Sequence, residues 1–154
     1  MAAETTGKGR PPVTQEARIT IAEFERIVEE SLPLAAAWKI ETRAIHHGRA
    51  TLRLGFDAGF LRPGGTISGP IQMGLADVAI FAALLGAIGP MPGAVTSNLS
   101  INFLRRPKPS PLIAEARMLK IGRRLAVGEV ELFSEGDPDM LAHVVATYAI
   151  PGGA

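Results

Sequence analysis

The residue in this sequence best placed for acid–base or nucleophilic chemistry is Asp77. It lies inside the stretch Ile71 to Ile88, where nearly every other residue is apolar or small. A helix that is apolar all round is buried, and a buried carboxylate without partners is costly. Two readings follow: a core carboxylate satisfied by hydrogen bonds, or a carboxylate kept for chemistry. Burial works against its ionised form, and hydrogen-bond donors work for it. Ser68, Gly69 and Pro70 open the same segment. Ser or Gly is a good helix cap and Pro suits the first turn. Free N–H groups at a helix start can also stabilise an oxyanion. Gly69 retains its N–H there, and Pro70 has none.

Further along, Thr96, Asn98, Ser100 and Asn102 alternate with Val95, Ser97, Leu99, Ile101 and Phe103. Alternation of this kind predicts a strand with four polar side chains on one face. Arg105, Arg106, Lys108, Arg117, Lys120, Arg123 and Arg124 then crowd a short span in which Glu115 is the one acid. The histidines offer less. His46 and His47 are adjacent, so on a strand they face opposite sides, and His143 stands isolated. No metal site is expected. The absence of cysteine removes disulfides, Cys-type metal sites and thiolate catalysis. No glycine-rich phosphate loop is present; "GGTISG" lacks both the flanking elements and the lysine.

The elements that must position these residues can be read from periodicity. Residues 1–18 are polar with two prolines and predict a disordered arm; residues 19–151 read as one domain. A helix is expected over Ile21 to Ser31, ended by Leu32-Pro33. Strands are expected near Trp38–Ile45 and Gly48–Phe56, and "RPGG" at 62–65 reads as a loop. The apolar helix carries a stripe of small residues, Ala76, Ala79, Ala83 and Gly86, that would admit another backbone. "GPMPG" stops it. Four strands follow, with "GRR" at 122–124 as a tight hairpin connection and "SEGDPD" as a second turn. A meander of antiparallel strands has one face that needs covering, and the apolar helix is the obvious cover. That is an α+β architecture.

Composition narrows the classes. The chain has 154 residues, 47% hydrophobic and 20% charged, with a formal net charge of +1. It can bury a core, and its charge argues against nucleic-acid binding through phosphate neutralisation. The N-terminus has no apolar secretory stretch, so the cytoplasm is the expected location. Residues 71–88 approach the length of a membrane span. They carry Gln72 and Asp77 and lack flanking aromatic or basic anchors, so no membrane is expected.

"GPIQMGLAD", "AVTSNLSINFLRRPKPSPLIAEARMLKIGRRLAVGEVEL" and "LAHVVATYAIP", in that order, resemble the hotdog-fold acyl-CoA thioesterases, in particular the phenylacetate-degradation (PaaI-like) type. The resemblance covers about residues 45–150. It implies a sheet wrapped around one central helix. It also implies protomers paired edge to edge into a homodimer or a dimer of dimers, with the active site at their interface. The family's His-Gly-Gly corresponds to Ser68, Gly69 and Pro70, and its acid to Asp77. The resemblance makes Asp77 general base or nucleophile and the Gly69 N–H the oxyanion donor. Thr96 becomes a positioning hydroxyl supplied by the partner protomer, with Asn98 beside it. Ser68 falls among the substrate contacts. Arg105, Arg106 and Lys108, with Arg123 and Arg124, would grip the phosphates of acyl-CoA. No cofactor is implied. The competing function is a dimer that holds acyl-CoA without turning it over, because Ser68 and Pro70 replace two members of the motif. An acyl-thioester hydratase normally needs a histidine with an acid, and none stands near the helix start.

Overall fold

The computed structural model describes residues 15–152 of the chain. Of the expected N-terminal arm, residues 1–14 lie outside the described residues. By residue 18 the chain is already fastened: the Arg18 N–H donates to the Gly86 carbonyl (2.8 Å) and Ile19 is buried.

Helix α1 (Ile21–Ser31) starts on a reciprocal cap. The Thr20 hydroxyl accepts from the Glu23 N–H, and the Glu23 carboxylate accepts from the Thr20 N–H; two orphan donors are satisfied at once. Phe24 and Val28 face inward. Pro33 ends α1 but also begins a second short helix, α2 (Pro33–Ala37), because proline suits a first helical position. Nothing in the sequence announces α2, since a single turn shows no periodicity.

Strands β1 (Glu41–His46) and β2 (Arg49–Leu54) form a hairpin. Where a loop was expected at 62–65, β3 (Leu61–Arg62) and β4 (Thr66–Ile67) make a small separate hairpin. Gly64 and Gly65, both at positive φ, form its turn. Helix α3 (Gly69–Ile88) follows. It ends at Gly89, whose φ of 85° few other residues would tolerate. Then come β5 (Val95–Phe103), β6 (Leu112–Ile121), β7 (Leu125–Ser134) and β8 (Ala142–Ala149).

Six strands join in one antiparallel sheet, ordered β1-β2-β6-β7-β8-β5. The sheet wraps α3, as its apolar composition requires. Leu75, Ile80, Leu84 and Leu85 are fully buried beneath Leu52, Leu112, Val130, Leu132 and Val144 from the strands. The small-residue stripe serves close approach. A Cβ on Gly86 would stand 2.3 Å from the His46 carbonyl oxygen, so the end of β1 rests directly on the helix. By length and hydropathy α3 could cross a membrane, but here it is the buried core helix. This is the hotdog fold that the resemblance implied.

Candidate active site

The wrapping places the middle of α3 against the edge strand β5 and its neighbour β8. Asp77, half-buried, meets two hydroxyls there. Thr96 Oγ1 donates to Asp77 Oδ1 at 2.6 Å, and Tyr148 Oη donates to the same oxygen at 2.6 Å. Tyr148 Oη also lies 2.9 Å from the Asp77 backbone oxygen. Asp77 Oδ2 has no hydrogen-bond partner among the described residues. The carboxylate in the apolar helix is thus half-buried and held by a single oxygen.

Thr96 was expected from a partner protomer, and here the structure corrects the sequence. It reaches Asp77 within the same chain, because of a bulge. Thr96 pairs with Tyr148 and Asn98 with Thr147, leaving Ser97 unpaired between them. The extra residue shifts the alternation by one. Thr96 therefore shares the inner face with Tyr148, while Asn98, Ser100 and Asn102 share the outer face with Thr147, Val145 and His143. The expected row of four polar residues is split. Asn98 is exposed and turned away from Asp77.

Asp77, Thr96 and Tyr148 line a cavity of about 340 Å³ whose other walls are largely apolar, among them Trp38, Val78 and Phe81. Its size falls at the small end of ordinary ligand pockets. Trp38 turns the edge of its indole towards Gly74, where a Cβ would stand 2.5 Å from Cη2 and Cζ3, and packs edge-on against Phe60. Tyr148 is buried and stacks parallel to Phe81 with ring centroids 6.1 Å apart. Burial, and then the charge of Asp77, push its phenol far above the usual range for ionisation. Tyr148 therefore remains a donor. It was not foreseen, because "VVATYAIP" alternates like any half-buried strand and nothing in it marks one aromatic as special.

Gly69 lies elsewhere in the protomer. It is eight positions before Asp77, about 12 Å along the helix axis. No partner for its N–H is found among the described residues. Ser68 stands at the N-cap position, yet its side chain makes no capping bond. Gly69 lines a second cavity, of about 390 Å³, with Arg62, Gln72, Phe103, Arg105 and Arg106. The Phe103 ring lies so close to Gly69 that a Cβ would be 3.1 Å from it. In this wall the buried Gln72 donates through Nε2 to the Ile67 carbonyl (3.2 Å), and its Oε1 has no partner among the described residues. Asp77 and Gly69 thus face separate cavities, and the single chain does not bring them together.

The basic cluster also divides. Arg105, Arg106 and Lys108 follow β5, whereas Arg123 and Arg124 form the β6–β7 turn. The ten residues of β6 separate the two groups, a span of roughly 33 Å. All five are exposed. Acids distant in sequence offset part of the local charge: Arg105 pairs with Asp137 (3.6 Å) and Asp139 (3.3 Å), and Arg117 with Glu129. His143, isolated in sequence, meets Glu129 at 3.0 Å on the outer sheet face. Its hydrogen bond, with that of Arg117, holds the Glu129 carboxyl below its ordinary range. Among the described residues no group of three or more His, Asp or Glu could hold a metal ion.

Known proteins share this fold. A "Putative esterase" of Saccharolobus solfataricus is 27% identical over 111 residues, covering 72% of this chain and 73% of that protein. A structure named a "putative thioesterase", from a Silicibacter species, superposes with a TM-score of 0.78 at 38% identity, covering 89% of this chain and 95% of the other. The phenylacetic acid degradation protein PaaI of Thermus thermophilus, in the form of a point mutant, gives 0.68 at 27% identity, covering 77% of this chain and 99% of that one. PaaI of E. coli, at 23% identity and a TM-score of 0.75 over 87% of this chain and 95% of that one, shares the fold. A model of the thioesterase superfamily matches residues 64–141, which contain Gly69, Asp77 and Thr96. With its hotdog fold and these relatives, the chain belongs to the thioesterase superfamily.

Proposed function

We propose that the protein hydrolyses an acyl-CoA to the free acid and coenzyme A, with Asp77 as the reacting group. The observation that carries this reading is the asymmetric carboxylate. Oδ1 is held by two hydroxyls, and Oδ2 is left without a partner among the described residues, on a largely apolar cavity. A carboxylate so anchored can act in two ways. As a base, Oδ2 takes a proton from water while the water oxygen bonds the acyl carbon. The C–S bond then breaks, and the proton leaves on sulfur. As a nucleophile, Oδ2 bonds the acyl carbon and expels the thiolate, and water then cleaves the mixed anhydride. In both, negative charge develops on the thioester oxygen, where the Gly69 N–H is the available donor.

The separation of Gly69 from Asp77 supports a site made by two protomers. β5 is an edge strand, with Thr96 near Asp77 and Phe103 on Gly69. Its Val95 and Phe103 are exposed, as is the adjoining Leu104. Antiparallel pairing of β5 with a second copy about a two-fold axis would set Asp77 of one protomer towards the partner's Gly69. The same pairing would leave Arg105 and Arg106, exposed at the rim of the Gly69 cavity, to meet the phosphates of coenzyme A at the far end of its pantetheine arm. Lys108, Arg123 and Arg124 are exposed cations that would steer an anionic substrate. Ser68 adjoins the thioester end, whereas Asn98, on the outer face, is dropped from the proposed contacts.

The test is release of coenzyme A from short, long and aromatic acyl-CoAs by the purified protein. Turnover identifies the acyl class. Tight binding of these esters without turnover of any would instead make the protein a carrier disarmed by Ser68 and Pro70.

A further inference from the structure

Two hydroxyls hold Asp77, and the one supplied by Tyr148 is the better fixed. The residue is 3% exposed, and its ring is stacked on Phe81, which itself packs against Phe24 at 5.8 Å. The hydroxyl therefore cannot swing away as a threonine rotor can. Tyr148 and Thr96 occupy opposite positions on β8 and β5 and converge on one oxygen. A carboxylate pinned at Oδ1 from two strands has a set plane, so Oδ2 has a set direction. Among the described residues no other titratable side chain lines this cavity.

We propose that Tyr148 is a positioning residue for thioester hydrolysis: with Thr96 it fixes the Asp77 carboxylate through Oδ1, and so makes Oδ2 the oxygen that reacts. This deepens the thioesterase reading and rests on it. The phenol itself touches no substrate and transfers no proton. It holds the carboxylate by a hydrogen bond to a charged acceptor, the stronger kind.

Tyr148→Phe keeps the ring and its stacking and removes only the donor. The chain has four aspartates and one tyrosine. Carbon-13 labelling of aspartate therefore gives few carboxyl resonances, and Asp77→Asn assigns the one in question. In Tyr148→Phe the Asp77 carboxyl resonance at neutral pH moves, because one of the two donors to Oδ1 is gone. The kcat falls about tenfold, the loss expected for a hydrogen bond to a charged group, while KM stays within about twofold. A merely structural tyrosine would lower Tm while leaving that resonance and the ratio of kcat to KM unchanged.

Biosynthetic 3,5-difluorotyrosine gives a second, opposite perturbation. It keeps the ring in place and strengthens the donor, so the Asp77 resonance moves the other way. It also decides the matter should Tyr148→Phe fail to fold. A resonance unmoved by the substitution, or by the fluorinated residue where the substituted protein does not fold, overturns the proposal. Turnover by the unmodified protein with such an unmoved resonance refutes the role of Tyr148 alone. No turnover by the unmodified protein refutes hydrolysis itself.

Discussion

Two glycines of α3 offer the sharpest structural perturbation, because the same substitution meets two different obstacles. A Cβ at Gly86 would stand 2.3 Å from the His46 carbonyl oxygen and 2.9 Å from Ile45 Cγ2, so the β1–β2 hairpin must retreat. A Cβ at Gly74 would stand 2.5 Å from Trp38 Cη2 and Cζ3, the far edge of a side chain. Either Gly→Ala change gains about 1 kcal/mol of intrinsic helix stability. Forcing a methyl against packed backbone costs about 3 kcal/mol. Gly86→Ala should therefore lose about 2 kcal/mol net, which for a chain of this size lowers Tm by roughly 4–8 °C. In Gly74→Ala the indole needs to move only about 1 Å to reach ordinary contact. Its Tm should stay within about 2 °C. Because Trp38 walls the cavity beside Asp77, Gly74→Ala should instead shift the acyl preference and raise KM for the best substrate. Thermal denaturation and acyl-CoA kinetics on the two variants check both halves. A rise in Tm for Gly86→Ala would refute the reasoning, since it would mean that β1 does not rest on the helix.

The remaining predictions are independent of that contact. Arg106→Ala should raise KM for acyl-CoA about tenfold, one charge-assisted hydrogen bond. It should leave hydrolysis of the phosphate-free N-acetylcysteamine thioesters unchanged; equal loss on both would rule out a phosphate contact. On the outer sheet face, the His143 and Arg117 hydrogen bonds lower the Glu129 carboxyl relative to its value of 4.5 in an unfolded chain. A lowered carboxyl stabilises the fold above about that pH and loses its contribution as pH falls through the folded value. Acid denaturation should therefore begin at higher pH in the normal protein than its Glu129→Gln variant would show relative to its own neutral-pH stability. Identical relative pH profiles would exclude the network from acid stability.

The fold was legible because its signals are local. The apolar run of α3, the alternation in β2 and β6 and the turn residues at 89–93 and 122–124 each state their own conformation. Asp77 and Gly69 became candidates for the same reason: a charge in an apolar helix and a glycine at its start stand out. What escaped depends on contacts between distant segments. Tyr148 reveals itself only once β8 is laid beside α3. The polar alternation of residues 96–102 continues in sequence across Ser97, while the bulge there reverses which residues face inward, so Thr96 and Asn98 part company. The excess of cations between 105 and 124 looked unopposed because Glu129, Asp137 and Asp139 arrive from β7 and the turn after it. The two arginine groups looked adjacent because a hairpin strand separates by its length residues that sequence places close together.

The central claim is that Asp77 does the chemistry, and Asp77→Asn tests it most directly. The amide keeps the size of the side chain and can still accept from Tyr148 and Thr96 through its oxygen, but it is neither a base nor a nucleophile at neutral pH. The measurement is coenzyme A release under single-turnover conditions, paired with calorimetric binding of a non-hydrolysable acyl-CoA thioether to both proteins. The rate should fall by at least about a thousandfold, with affinity for the thioether kept within a few fold. Hydrolysis by Asp77→Asn at a rate close to that of the unmodified protein would contradict that claim, and would assign the carboxylate to the core that surrounds it.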